Sequence, residues 1–459
     1  MTKRFAIRQL FHLMCAGGLI GLSSNAMAAA FQLYEQDGAS VGNYHAGRAV
    51  TDNASTAYYN PAGNTQFTNQ EMILGDVGIM SSLKYSGTVS PGIIVPGVGV
   101  FPVGPTQSAV AQGGAFSQVP DFHYVAPISK NFGFGLSVAA PFGLKTNFGR
   151  NTALRYAATL SELKVIDYSP SLGVSVNDKL SFGVGLDIQR MGAEFDQMGT
   201  IGTGTDTDSK TKGWDTAYGF HLGALYHFRP TTRVGLTYNS QVVHHIRGTS
   251  KFVGPIANFA NTLATGSPGA VVSNYANAHL TLPAATTLSL FHQLNPKWAL
   301  MGTAIYTQWS IFQSLSIADA ASASTELTIF GPVPVPSPNT TVSVPTHYRN
   351  TWNFSVGADY YATDKFTFRG GLGYDQTPVK NAYRDVRIPD GDRIAIAVGG
   401  HYQASKALGF DLGWTHLFMS GTAKINPPPV VTGGQVVSTN GSVKASADVI
   451  GAQVVWDIA

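Results

Sequence analysis

The sequence has almost no cysteine: of 459 residues only Cys15 carries a thiol. It lies in a leader. Lys3, Arg4 and Arg8 are basic, Leu10 to Leu22 is largely apolar, and Ala26-Met27-Ala28 places small residues around a bulkier one. This pattern predicts a secretory signal peptide over residues 1–28, cut after Ala28 and too short to span a bilayer. His12, three positions before Cys15, argues against a lipoprotein cut. The mature chain would have no thiol, which excludes disulfides, thiolate metal sites and cysteine nucleophiles. Charge is scarce as well, at 12% of residues, about half the roughly 25% of ordinary globular domains. The net charge of +3 is small and dispersed, so nucleic acid is not an expected partner. Long apolar runs are missing too. No mature segment offers the roughly 20 apolar residues of a membrane helix.

What is abundant is glycine, at 51 residues, with aromatics at 11% and a mean hydropathy of only +0.04. Low charge without apolar runs is the composition of a transmembrane barrel, in which one face of each strand meets lipid and the other a lumen. Period-two alternation recurs from about residue 70 onward. Phe132 to Val138, Leu180 to Ile188 (with Asp187 on the small face), Leu408 to Trp414 and Ile450 to Ile458 each put large apolar side chains on one face. A β-sandwich would alternate likewise, but its strands run to about five or six residues, and these segments approach or exceed ten. Tight turns at 129–131, 177–179, 229–231, 295–297, 362–364 and 404–406 alternate with longer loops around 88–112, 147–162, 196–212, 250–276, 318–345, 379–388 and 426–441. Six tight turns imply about fourteen strands, with short turns on one rim and long loops on the other. Residues 29 to about 68 lack alternation and are rich in Gly, Asn, Ala and Ser; composition leaves them as a disordered tail or a plug folded into the barrel.

Several segments in order along the chain carry a resemblance. They are Phe31-Gln32-Leu33-Tyr34-Glu35, Gly47, Asp52-Asn53-Ala54, Asn60-Pro61-Ala62, Val119 to Ile128, and Phe142-Gly143-Leu144. Further on come Phe366 to Gly371, Asp375 with Thr377-Pro378-Val379, and Arg387 to Arg393. Together the set resembles the FadL/TodX family of outer-membrane transporters for long-chain fatty acids and hydrocarbons. The resemblance implies an all-β fold, a transmembrane antiparallel β-barrel of about fourteen strands over 69–459, with an N-terminal hatch over 29–68 inside the lumen.

Pro61 biases Asn60 toward an extended backbone, which alone describes an ordinary turn; the resemblance makes Asn60, Pro61 and Ala62 a gate element. Pro141 interrupts a long strand and cannot donate a ladder hydrogen bond, and Gly143 adds freedom to bend. A bulge is the plain reading of Ala140, Pro141, Phe142 and Gly143; the resemblance makes it a lateral opening toward the bilayer. The apolar, proline-broken loop 92–103, with Ile93, Ile94, Val95 and Phe101, and a second at 329–335, fit ligand capture or packing over the barrel mouth. The third outer loop, about Asp196 to Lys212, is shorter than the resemblance leads one to expect. Arg155, Lys164, Arg349 and Arg384 are candidates to hold a carboxylate, or else to meet lipopolysaccharide or solvent.

Other chemistry fits less well. His244 and His245 would face opposite ways on a strand and cannot share a metal comfortably. Asp390-Gly391-Asp392 lacks the rest of a calcium-loop series and suits a capped turn or a salt bridge with Arg387 or Arg393. Ser and His are scattered through the chain, with no pairing that the sequence reveals. The expectation is passive outer-membrane transport of a hydrophobic small molecule, a long-chain fatty acid first and an aromatic hydrocarbon second, by loop capture, hatch gating and lateral exit, in a monomer without cofactor, metal or catalytic residue and surrounded by outer-membrane lipid and lipopolysaccharide. A general diffusion porin and a barrel lipid hydrolase are the alternatives.

Overall fold

The computed structural model describes residues 30–95, 97–202, 206–328 and 331–458; the expected signal peptide lies outside them. The chain from Gln70 onward forms fourteen antiparallel wall strands. They are β1 (Gln70–Val95), β2 (Gln107–Gln112 with Phe116–Ser129), β3 (Phe132–Asn147), β4 (Leu160–Asn177), β5 (Leu180–Gly199), β6 (Thr207–Arg229) and β7 (Thr232–Asn239 with Val242–Val253). The remainder are β8 (Val271–Leu282 with Ala285–Asn295), β9 (Trp298–Thr307 with Ser314–Thr328), β10 (Gly331–Pro345 with Thr351–Tyr361), β11 (Phe366–Asp375), β12 (Arg393–Ser405), β13 (Leu408–Met419) and β14 (Gln435–Ile458). Each pairs with the next, and β14 closes on β1 from Gln70↔Ile458 to Ile93↔Gln435. Closure leaves no open edge to lipid, which the bilayer demands because it offers backbone groups no partner.

Alternation explains the wall. On β5 and β6, Phe182, Val184, Leu186, Phe220 and Leu222 are exposed outward, while Asp187, Met191, Ala217 and His221 are buried inward. Outward aromatics mark two levels, with Phe182, Phe228, Trp298 and Phe366 near the short turns and Tyr168, Trp214, Tyr218 and Trp352 nearer the long loops, as at the two interfaces of a bilayer. β4, β5 and β6 run 18, 20 and 23 residues, beyond the about 9–11 needed to cross, so the wall continues past the membrane on the loop side.

Two segments read as loops are strand. Residues 318–328 and 331–345 pair in a long β9–β10 ladder despite their prolines, with Pro334 and Pro336 opposite Thr325 and Ala323. Prolines two apart place every missing N–H on one edge, so the other edge still pairs. Likewise β1 continues to Val95 and folds back on Gly99–Pro102. The loop 250–276 contains a helix, Pro255–Thr265. The short third outer loop spans 200–206, of which 203–205 lie outside the described residues.

Residues 30–66 lie within the bore. Short helices at Gly38–Val41 and Thr56–Tyr59 and 3-10 turns at Arg48–Val50 and Pro61–Gln66 are buried almost throughout. Their polar groups bond to the wall on many sides. Gly47 N donates to Thr303 Oγ1 (2.8 Å), His45 Nε2 meets Asn353 Oδ1 (2.9 Å), Ala39 N donates to Gln453 Oε1 (3.1 Å), and Asn64 Nδ2 donates to Ser171 Oγ (3.0 Å). Wall glycines make room for this: a Cβ at Gly133 or Gly371 would run into the backbone of Asn64 or Asn43.

Candidate functional site

Above the N-terminal segment the lumen opens into an apolar cavity of about 920 Å³, counted with its mouth. Inward positions supply its wall because alternation puts Leu144, Leu163, Phe195, Ile246, Leu280 and Ile317 on the bore side. Phe31 forms the floor. Its ring stands edge-on to Trp309 at 4.8 Å and to Phe312 at 5.7 Å, and lies 6.0 Å from Phe142. Burial holds the Tyr348 phenol on the cavity wall well above its ordinary pKa, helped by the carboxylates of Asp390 and Asp385, so it stays neutral.

Arg387 is the guanidinium that lines this cavity, and the sequence reading had not singled it out for that role. It is bound on all sides: Nη1 contacts both Asp385 oxygens at 3.1 and 3.2 Å, and Nη2 donates to the Ala157 carbonyl and to Gln197 Oε1 (2.9 Å). Beside the cavity, sharing Val379, lies a polar recess of about 820 Å³ lined by Arg349, Lys380, Arg384 and Asp392. Two of the four predicted basic residues therefore meet there. Arg384 Nε donates to the Asp390 carbonyl (2.7 Å), and burial lowers its pKa against the pull of Asp390 and Asp392. Arg349 lies 4.0 Å from Asp392. The other two are elsewhere: Arg155 pairs with Asp206 at 2.6 Å, and Lys164 with Glu162 at 2.9 Å. Asp390 stands 3.5 Å from Arg393. Ile93, Ile94, Val95 and Phe101 sit in the β1 hairpin, with Val95 buried and Phe101 exposed; they do not line the cavity. His244 is buried beside Asp215 while His245 is exposed.

β3 breaks where its proline falls. Ala139 stands opposite Asp167 and Phe142 opposite Val165, so Ala140 and Pro141 face only Ile166 across the ladder. The β2–β3 ladder runs from Ser129↔Phe132 to Phe122↔Val138 and ends. The two edges meet again where Asn147 N donates to the Gly113 carbonyl (3.0 Å). Between those points the N-terminal segment takes the place of β2 as partner. Leu33 N donates to the Pro141 carbonyl and Gly143 N to the Phe31 carbonyl, both 2.8 Å, with Gln32 bridged to Phe142. Asn60 sits lower, against β6: its Nδ2 donates to the Ala49 carbonyl (2.6 Å) and the Ala224 carbonyl (3.1 Å), and its Oδ1 accepts from Ala62 N (3.2 Å). A Cβ on Gly183 would strike Pro61 and Ala62. Below this segment the lumen is polar, a recess of about 1160 Å³ carrying Asp52 with Arg233 (3.1 Å) and Arg369 with Asp359 (3.8 Å) and Asp411.

Residues 19–457 match the family model described as outer membrane protein transport protein (OMPP1/FadL/TodX). The chain belongs to the FadL/TodX family. It is 28% identical over 440 residues to the long-chain fatty acid transport protein of Escherichia coli K12, covering 89% of this chain and 92% of that one. Outer membrane protein P1 of Haemophilus influenzae is also 28% identical, with 88% of each chain covered. The crystal structure of a Pseudomonas aeruginosa FadL homologue superposes with a TM-score of 0.77 at 26% identity, over 93% of this chain and 99% of that one. The Pseudomonas putida toluene transporter TodX shares the fold, with a TM-score of 0.61 at 16% identity, over 91% and 99%. Like its FadL/TodX relatives, the protein is a barrel of the outer membrane that serves transport of hydrophobic compounds.

Proposed function

We propose that the protein passes long-chain fatty acids through the outer membrane without an energy source, and that residues 30–66 act as its hatch. Ligand caught at the outer loops enters the apolar cavity, the hatch shifts, and the ligand leaves sideways where β3 breaks at Pro141. One observation carries the reading: Phe31, the cavity floor, is also the residue whose carbonyl takes the Gly143 N–H of the broken strand. Floor and side edge are held by one stretch of chain. The polar recess below would be a costly path for an alkyl chain, since apolar surface is favoured where water is excluded; the gap beside Phe142 is the greasier way out. The named fatty-acid relatives and the cationic recess of Arg349, Lys380 and Arg384 favour a carboxylate ligand. Arg387, already neutralised by Asp385, favours the second reading, an uncharged aromatic hydrocarbon.

The test is uptake of labelled oleate and of toluene by cells carrying the intact protein or a variant with Ala140 deleted and Pro141→Ala, which restores one residue opposite Ile166. Loss of uptake with a folded barrel supports the side exit, and unchanged uptake sinks it. Preference for oleate or toluene in the intact protein decides the ligand class. Small-sugar flux in planar bilayers would mark a porin instead, and lipid hydrolysis an enzyme.

A further inference from the structure

The lipid-facing wall carries a charged feature that the transport route does not explain, although one of its members, Lys212, also borders the apolar cavity. Registered partners in an antiparallel ladder share a face, and on β3 to β7 they line up into rows just beyond the outer aromatics. One row runs Lys164, Gly192, Trp214 and Arg247; the next runs Lys145, Glu162, Glu194, Lys212 and Thr249; the third runs Leu160, Asp196, Lys210 and Lys251. Trp214 is 55% exposed, which fixes these rows on the outward side. The carboxylates are already taken. Glu162 holds Lys164 (2.9 Å) and Lys145 (3.7 Å), while Lys210 contacts Glu194 and lies 3.5 Å from Asp196. Lys212, Arg247 and Lys251 are exposed and, among the described residues, have no carboxylate within ion-pair reach. Lys251 also stands directly opposite Lys210, where like charges destabilise a sheet.

Neighbouring strands are about 5 Å apart and residues two apart on a strand about 7 Å, so Arg247 and Lys251 stand about 14 Å apart with Lys212 on the next strand between their levels, a spread that suits a two-sugar headgroup. Cations at the headgroup level attract anionic lipid; a phosphate supplies three strong acceptors and the opposite charge. Trp214 is level with Arg247, and below it Tyr218, Phe220 and Leu222 present an apolar strip suited to acyl chains. We propose that this patch docks a phosphorylated glycolipid of the outer leaflet, with sugar phosphates at Lys212, Arg247 and Lys251 and acyl chains along β6.

The probe is bisphosphorylated lipid A added to the full-length mature protein in non-ionic detergent, with bound lipid counted by native mass spectrometry. Phosphatase-treated lipid A and phosphatidylglycerol are the comparison lipids. The variant is Lys212→Glu, Arg247→Glu, Lys251→Glu, checked for folding by heat-modifiable migration in gels. The control is Lys84→Glu, Lys444→Glu, which changes an outward lysine pair on β1 and β14. The expected result is binding to the intact and control proteins, at least tenfold weaker after dephosphorylation and at least tenfold weaker in the triple variant. Equal binding of phosphatidylglycerol, or equal loss in the control, reduces the effect to general charge and overturns the proposal. So does undiminished lipid A on the triple variant. Should the triple variant not fold, Lys212→Gln with Lys251→Gln is used, and retention of full binding there refutes the site.

Discussion

Phe31→Ala tests the proposed hatch where it meets the cavity. The ring is 2% exposed and wedged among Trp309, Phe312 and Phe142. Truncating a buried phenylalanine costs about 3–5 kcal/mol. The lower end applies, because the ring's upper side borders open cavity rather than packed atoms. Two backbone bonds remain, Leu33 to Pro141 and Gly143 to Phe31, each worth about 0.5–1.5 kcal/mol net. Losing about 3 kcal/mol from the closed arrangement lowers its population relative to the open one by about a hundredfold, since 1.4 kcal/mol is a factor of ten. Amide hydrogen exchange followed by mass spectrometry in micelles reads this at the two donors. Protection of Leu33 and Gly143 should fall about a hundredfold, while central amides of β5 and β12 stay protected. Oleate uptake should then depend less steeply on concentration. Unchanged exchange at both donors in a folded variant would refute the claim that Phe31 latches the segment to β3.

Three further outcomes follow from the same contacts. Gly371→Ala pushes a Cβ into the backbone of Asn43, so the N-terminal segment should become protease-sensitive while the wall keeps its heat-modifiable migration. Arg387→Met leaves Asp385 buried and unpaired, a loss of about 3–5 kcal/mol that should appear as a lowered thermal midpoint. Adding Asp385→Leu should restore most of it. Burial raises the pKa of Glu35, but His45, 3.4 Å away, together with a backbone hydrogen bond and the charge of Arg48, outweighs it and leaves the carboxyl below its ordinary value. A depressed carboxylate stabilises the folded form above its unfolded pKa and loses that contribution as pH falls through the folded one. Exchange in residues 33–48 should therefore rise on acidification below about pH 4.3, and Glu35→Gln should flatten that response.

The wall was legible because it obeys a rule of period two, and turns such as Asn177-Asp178-Lys179 and Asn295-Pro296-Lys297 punctuate it. Where the rule was hidden, the reading slipped. The prolines of 332–338 look like loop until their spacing of two is seen to leave one edge free to pair. The cavity was less legible because its members are far apart in sequence. Arg387 reaches Ala157 and Gln197, 230 and 190 positions away, and nothing local distinguishes it from Arg384 or Arg349. Arg155, named only as a candidate to hold a carboxylate, lies against Asp206, 51 positions further along the chain. A pattern of alternation tells which side chains face inward, not which of them meet.

The broken strand bears on why a gate and a side exit should be coupled at all. Freed backbone groups in a bilayer cost several kcal/mol each, so a ladder gap persists only if something else satisfies its edges. Here the Pro141 carbonyl and the Gly143 N–H are satisfied by Leu33 and Phe31, which makes the N-terminal segment part of the wall at this point as well as a floor to the cavity. On the proposed route, moving that segment both opens the floor and strips two partners from the β3 edge. A passing ligand that shields the edge from lipid, or admits water to it, lowers that cost only while it is present. Opening is then favoured by occupancy rather than by an outside energy source, because a ligand shifts an equilibrium by its differential affinity for the two states.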